Sequence, residues 1–112
     1  MDEKMVAKYE EQARIIKALS HPSRLIMIDA LNNGKRNVSE LTELVGSDTS
    51  TVSKHLSILK NAGLVFVEKR GTTVFYNLRM PCILDFFNCI ESVIETNALG
   101  QTETVISCKT KQ

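Results

Sequence analysis

The sequence has no apolar run long enough to cross a bilayer. Its longest unbroken apolar stretches, Leu25 to Ile28 and Leu64 to Val67, fall far short of the roughly 20 residues that a membrane helix needs. The opening Met1-Asp2-Glu3-Lys4 lacks the apolar core of a secretory signal, which sets the expectation of a cytoplasmic protein with no membrane partner. Cysteine is scarce, with only Cys82, Cys89 and Cys108. An odd number without a secretory signal argues against a disulfide framework and leaves free thiols as the default. An excess of one charge is missing too: the formal net charge is +1, so the bulk electrostatics of a strongly basic nucleic-acid binder are absent. No glycine-rich phosphate loop, no paired acid and base cluster and no histidine beside a cysteine occurs. The expectation is that the protein is not an enzyme.

The charge is unevenly spread. Between Ser50 and Arg79 lie Lys54, Lys60, Lys69, Arg70 and Arg79 against the single anion Glu68, so the middle third is the candidate anion-binding surface. At 112 residues the chain fits one domain. Tyr9, Ala13, Ile16 and Leu19 recur at near-helical spacing behind an acidic start and predict a first amphipathic helix. Ser20 as N-cap, Pro22 in the first turn and an inward stripe of Leu25, Ile28 and Leu31 predict a second helix, ending near Asn33-Gly34. Ser39 caps a short third helix, which Gly46 closes. Asp48 or Ser47 caps a fourth, running from about Thr49 to Ala62.

Gly63 ends that helix, and two β-branched or aromatic runs follow, Leu64 to Val67 and Val74 to Tyr76, separated by a basic tip from Glu68 to Thr73. Pro81 opens a last helix with a wide apolar stripe of Ile83, Phe86, Phe87, Ile90, Val93 and Ile94. So much apolar surface on one helix calls for a second copy of the chain. The fold class read from this pattern is mainly α with a two-stranded β wing, a winged helix-turn-helix. Residues 1–97 form the DNA-binding and dimerisation domain and 98–112 a C-terminal tail open to ordering by a ligand.

The centre of this order has the parts of a DNA reader: a helix sized for the major groove, a helix before it, and a basic hairpin able to reach the neighbouring backbone. On the fourth helix Val52, Leu56 and Leu59 fall within about 60° of one another and must face the core. Ser50, Lys54, Ser57 and Asn61 then point away. Hydroxyls and a cation with no acid suit base edges and phosphates. A wet helix face beside a small structural sheet is the alternative, because helix-turn-helix geometry also occurs in proteins that bind no DNA.

The stretch Lys17-Ala18-Leu19-Ser20-His21-Pro22-Ser23-Arg24-Leu25 resembles the opening of the ArsR/SmtB family of metal- and stress-responsive repressors. So does Asp48-Thr49-Ser50-Thr51-Val52-Ser53-Lys54-His55-Leu56-Ser57-Ile58-Leu59-Lys60-Asn61-Ala62-Gly63-Leu64-Val65, followed by the wing Lys69-Arg70-Gly71-Thr72-Thr73-Val74-Phe75-Tyr76. The likeness covers roughly residues 9 to 96, with separate blocks in the right order. It implies a homodimer paired through the first and last helices, with two recognition helices in successive major grooves of an imperfect palindrome. It implies a repressor of transcription released by an inducer. By position, Ser50, Thr51, Ser53, Lys54 and Ser57 would meet the groove of double-stranded DNA, and Lys69 and Arg70 its backbone. His55, at the edge of the buried face, is either a phosphate contact or a packed histidine. Arg24 reads as a structural or backbone-contacting residue.

The resemblance also shows departures. Where many relatives carry a Cys-x-Cys metal site, this chain has Asn37-Val38-Ser39. Asp85 aligns with an acidic ligand of a second metal site, yet the last helix holds no histidine. Thiols remain: Cys82, Cys89 and Cys108 are the candidate metal ligands. Two turns separate Cys82 from Cys89 on an ideal helix, roughly 10 Å, too far to share one ion. The leading expectation is a repressor needing no cofactor for DNA binding and released by arsenite, antimonite or another soft metal ion, which thiolates select. A redox or reactive-sulfur sensor using the same cysteines is the rival, and a winged-helix interaction module that senses nothing is the third reading.

Overall fold

The computed structural model describes residues 1–102 and 104–105 of the chain. It contains two compact units, Met1–Arg79 and Met80–Gln112. The first unit runs α1 (Glu3–Leu19), α2 (Pro22–Leu31), β1 (Arg36–Asn37), α3 (Val38–Val45), α4 (Thr49–Asn61), β2 (Val65–Arg70) and β3 (Thr73–Leu78); the second contains α5 (Ile83–Ala98). Among the described residues no helix is long and apolar enough to cross a membrane.

Local chemistry sets most helix ends. Asp2 caps α1 by accepting from the Met5 N–H at 2.8 Å. Ser20 is the C-cap of α1 rather than the N-cap of α2; that role falls to His21, whose Nδ1 accepts from the Ser23 N–H at 3.0 Å. The cap of α3 also differs from expectation. Asn37, not Ser39, accepts from the Glu40 N–H at 2.8 Å, while the Glu40 carboxylate accepts from the Asn37 N–H at 3.0 Å. This reciprocal capping box satisfies two donors at once, which a lone serine cap cannot do. Gly46 closes α3 with φ +77, a left-handed conformation that glycine adopts without the Cβ penalty other residues meet.

The core of the first unit joins Leu19 of α1, Met27, Ile28 and Leu31 of α2, Leu41 of α3 and Val52, Leu56 and Leu59 of α4, with Leu64 and Val65 leading into β2. In α2 the inward residues are Met27, Ile28 and Leu31, and Leu25 is left exposed. The inward stripe is therefore turned by part of a helical turn from the expected one, because α2 packs against α1, α3, α4 and β3 together and cover from several sides does not follow a single stripe. Removing the completely buried Leu56 side chain to Ala should cost about 2–5 kcal/mol.

The wing is part of a three-stranded sheet of order β1-β3-β2. Arg36 and Asn37 pair with Tyr76 and Phe75, an addition invisible in a two-residue segment with no alternation. The hairpin is also longer than expected. Glu68, Lys69 and Arg70 pair with Phe75, Val74 and Thr73, so the loop shrinks to Gly71-Thr72. Charged residues are weak strand formers, but the continuing ladder with β3 overrides that preference.

In the second unit, α5 starts at Ile83 with Cys82 at its N-cap, making no side-chain cap. Ile83, Asn88 and Ser92 are buried, while Phe86, Ile90, Val93 and Ile94 are 42–61% exposed. The Ser92 hydroxyl donates to the Asn88 carbonyl at 3.1 Å and Thr96 to the Ser92 carbonyl at 2.8 Å, so the hydroxyls on this face are satisfied within the helix.

Candidate nucleic-acid interface

The pair α3 and α4 is joined by the Gly46-Ser47-Asp48 turn, and Asp48 fixes the start of α4. Its Oδ1 accepts from the Thr51 N–H at 2.7 Å and from the Ser50 hydroxyl at 3.2 Å. These bonds, the Thr51 ones first, hold the carboxyl below its ordinary pKa, with Lys54 adding a smaller attraction. A carboxylate at the positive end of α4 suits the helix dipole.

With Val52, Leu56 and Leu59 buried, α4 exposes Ser50, Lys54 and Ser57 and leaves Thr51 and Ser53 half-covered. No acid stands on α4 itself. Such a face can donate to and accept from base edges and neutralise phosphate without repelling the anion.

His55 turns the other way, toward α2. Its Nδ1 lies 3.0 Å from Arg24 Nη1, and its ring is 4.4 Å from that of His21, tilted by 45°. A guanidinium only donates, so Nδ1 of His55 must be the acceptor, and the neutral ring carries its proton on Nε2. Burial first, then the charges of His21 and Arg24, push the His55 pKa below its ordinary value. His55 is thus a link between α2 and α4, an arrangement that only the packing of the two helices brings about.

At the wing, Lys69 and Arg70 are exposed on the last residues of β2. Arg70 Nε donates to Glu68 at 2.7 Å, and Lys35 Nζ approaches the same carboxylate oxygen at 3.3 Å. The bonds from Arg70 and then Lys35 lower the Glu68 pKa. Lys35 also sits 5.4 Å from the Phe75 ring centre. Sequence reasoning missed Lys35 and Arg36, which β1 carries to the wing. The one available signal was the Lys35-Arg36 pair just before the α3 cap.

The cysteines fall in the second unit. Cys82 is exposed and free; Cys89 is half-buried and disulfide-bonded, against the expectation of free thiols; and Cys108 lies outside the described residues. Most of the expected tail over 98–112 lies outside them as well. Among the described residues no group of three histidine, cysteine or acidic side chains is placed to hold a metal ion.

A family model described as "Bacterial regulatory protein, arsR family" matches residues 21–66, from the cap of α2 into β2. The biofilm growth-associated repressor of Xylella fastidiosa strain 9a5c is 34% identical over 91 residues, covering 81% of this chain and 80% of that protein. This chain belongs to the ArsR family of bacterial regulatory proteins. As an ArsR-family member it is a DNA-binding transcription regulator and not an enzyme. It is also similar to the HTH-type transcriptional regulator NmtR of Mycobacterium tuberculosis, 39% identical over 66 residues; that match spans 59% of this chain and only 55% of NmtR. Among solved structures, the homodimeric winged helix-turn-helix DNA-binding domain from Mycobacterium bovis matches with a TM-score of 0.75 at 26% identity, covering 94% of this chain and 97% of that one. The ArsR-family fold therefore extends well beyond the span matched by the family model.

Proposed function

We propose that this ArsR-family chain is a cytoplasmic repressor that acts as a homodimer on an imperfect palindromic operator and lets go when its thiols react. The observation that carries the DNA reading is the acid-free face of α4, Ser50, Lys54 and Ser57, next in the fold to a wing bearing exposed Lys69 and Arg70. Ser50, Thr51, Ser53, Lys54 and Ser57 enter the major groove, and Lys69 and Arg70 hold phosphates. His55 acts from behind, keeping α4 against α2.

The dimer is supported by the exposed apolar residues Phe86, Ile90, Val93 and Ile94 on α5 and Met5, Tyr9 and Ile16 on α1, which a second copy would cover. The structurally similar winged helix-turn-helix domain from Mycobacterium bovis is itself a homodimer, which supports a dimer here.

Release is assigned to Cys82, Cys89 and Cys108. Arsenite or antimonite would be bound by thiolates, as soft ligands select soft ions. A second reading is favoured by the disulfide bond at Cys89, with Cys82 left free. Here an oxidant or a reactive sulfur species takes two electrons from a thiol pair that includes Cys89, two protons leave, and a sulfur–sulfur bond forms. The deciding experiment titrates arsenite, peroxide and polysulfide separately into the reduced protein and its Cys82→Ser, Cys89→Ser and Cys108→Ser variants while following operator release. Loss of the peroxide or polysulfide response in Cys89→Ser, with arsenite inert, establishes the oxidant reading. An arsenite response lost with the thiols establishes the metalloid one, and release unchanged in all three variants ends both.

A further inference from the structure

Arg14 and Lys17 lie three residues apart on one side of α1. With Arg24 of α2 and Asn61 at the end of α4 they line a cavity of about 340 Å3, whose apolar wall includes Ile58 and Ala62. That volume is at the lower end of small-molecule sites. Three cations converge there, and no carboxylate is among the described lining residues. Arg14 pairs with Glu11 at 3.1 Å, but both side chains are more than half exposed, so the pair is weak and exchangeable. The Nε of Arg24 is buried without an acceptor among the described residues, leaving a donor of a charged group unsatisfied. Cations gathered around a partly apolar hollow repel one another until an anion enters, and guanidinium groups match carboxylate and phosphate in a planar fork.

We propose that this cavity is an effector site for a small organic anion, a carboxylate or phosphate on an apolar body, held by Arg14, Lys17 and Arg24. Its occupancy reaches the recognition helix directly. Arg24 both lines the cavity and holds Nδ1 of His55 on α4, so an anion that draws the guanidinium toward itself competes with the contact between α2 and α4. A ligand that binds the two arrangements unequally shifts the population of DNA-competent α4. Anion binding does not depend on the thiol reading; only its effect on operator affinity depends on the DNA reading.

The test uses the full chain and four probes, benzoate, phenyl phosphate, inorganic phosphate and benzyl alcohol. Binding is followed by calorimetry and by NMR of the His55 ring in wild type, in the Arg14→Gln/Lys17→Gln double variant and in a variant with all three cysteines changed to Ser. Benzoate or phenyl phosphate should bind saturably, at least about tenfold more tightly than benzyl alcohol or inorganic phosphate. Binding should weaken about tenfold or more in the double variant, survive in the cysteine-free one, and move the His55 resonances. A saturating probe should change operator affinity about threefold or more in wild type. No saturable binding below about 10 mM overturns the site. So does undiminished binding in a folded double variant, or a double variant that loses only DNA salt dependence, which would assign these cations to the DNA backbone. Binding without any change in operator affinity overturns the coupling to α4.

Discussion

Arg24 of α2 and His55 of α4 meet at 3.0 Å, with the histidine accepting through Nδ1. The contact requires a neutral imidazole, because a protonated ring has no acceptor to offer and would face the guanidinium as a second cation. Its location links proton concentration to the packing of the recognition helix.

The His55 pKa lies below the ordinary histidine value of 6.5 in the folded chain, so the unfolded state binds more protons as the medium is acidified. The contribution of His55 to stability is complete above about 6.5 and is lost as pH falls from there through the folded-state pKa. Urea unfolding between pH 7.5 and pH 5 should show the wild type losing more stability than His55→Asn. Equal losses in the two proteins would place the pH sensitivity elsewhere. Arg24→Met, which removes the donor, should lower stability by about 1–3 kcal/mol at neutral pH.

On the DNA side, Lys54→Ala should cost on the order of 1–3 kcal/mol of operator affinity if its ammonium reads a base, with no change in the melting cooperativity of the protein. Lys69→Ala should instead weaken binding to every sequence and reduce the slope of affinity against salt by about one. Glu68→Gln should act oppositely to Lys69→Ala. Removing the carboxylate that engages Arg70 and Lys35 frees two cations for phosphate and strengthens binding to random DNA. Fluorescence anisotropy over a salt series separates these cases, and wild-type behaviour in all three would remove α4 and the wing from the interface.

Asp48→Ala should loosen the first turn of α4 and weaken operator binding, whereas Asp48→Asn keeps an acceptor for the Thr51 N–H and should retain most of both. The depressed carboxyl pKa has its own consequence. The charged cap stabilises α4 above the ordinary carboxylate range, and this is lost as pH falls through the folded value. Amide exchange at Ser50 and Thr51 in the two variants reads the effect locally, and indistinguishable exchange would deny Asp48 its capping role.

Ile90 is 42% exposed on α5 amid Phe86, Val93 and Ile94. Ile90→Asp places a charge in that patch and should yield a monomer in sedimentation velocity, with operator binding lost because one half-site alone holds too little affinity. A variant that remains dimeric and binds operator would move the interface away from α5.

Much of this protein was legible in its sequence because the deciding interactions are local. Asp48 three residues before Thr51, Gly46 and Gly63 after their helices, and the spacing of Val52, Leu56 and Leu59 fix the helix-turn-helix with no knowledge of distant residues. The same spacing leaves Ser50, Lys54 and Ser57 outward, so the exposed polar side of α4 could be read from it. What tertiary structure decided involves residues far apart in the chain. The strand Arg36–Asn37 exists only because Tyr76 and Phe75 offer a free edge, and Lys35 and Arg70 share Glu68 only because that edge is used. Arg24 and His55, 31 residues apart, meet because α2 and α4 bury their apolar faces together. Hydrophobic periodicity specifies which side of each helix is covered, but it carries no information about which polar groups at the rim of that contact will face each other.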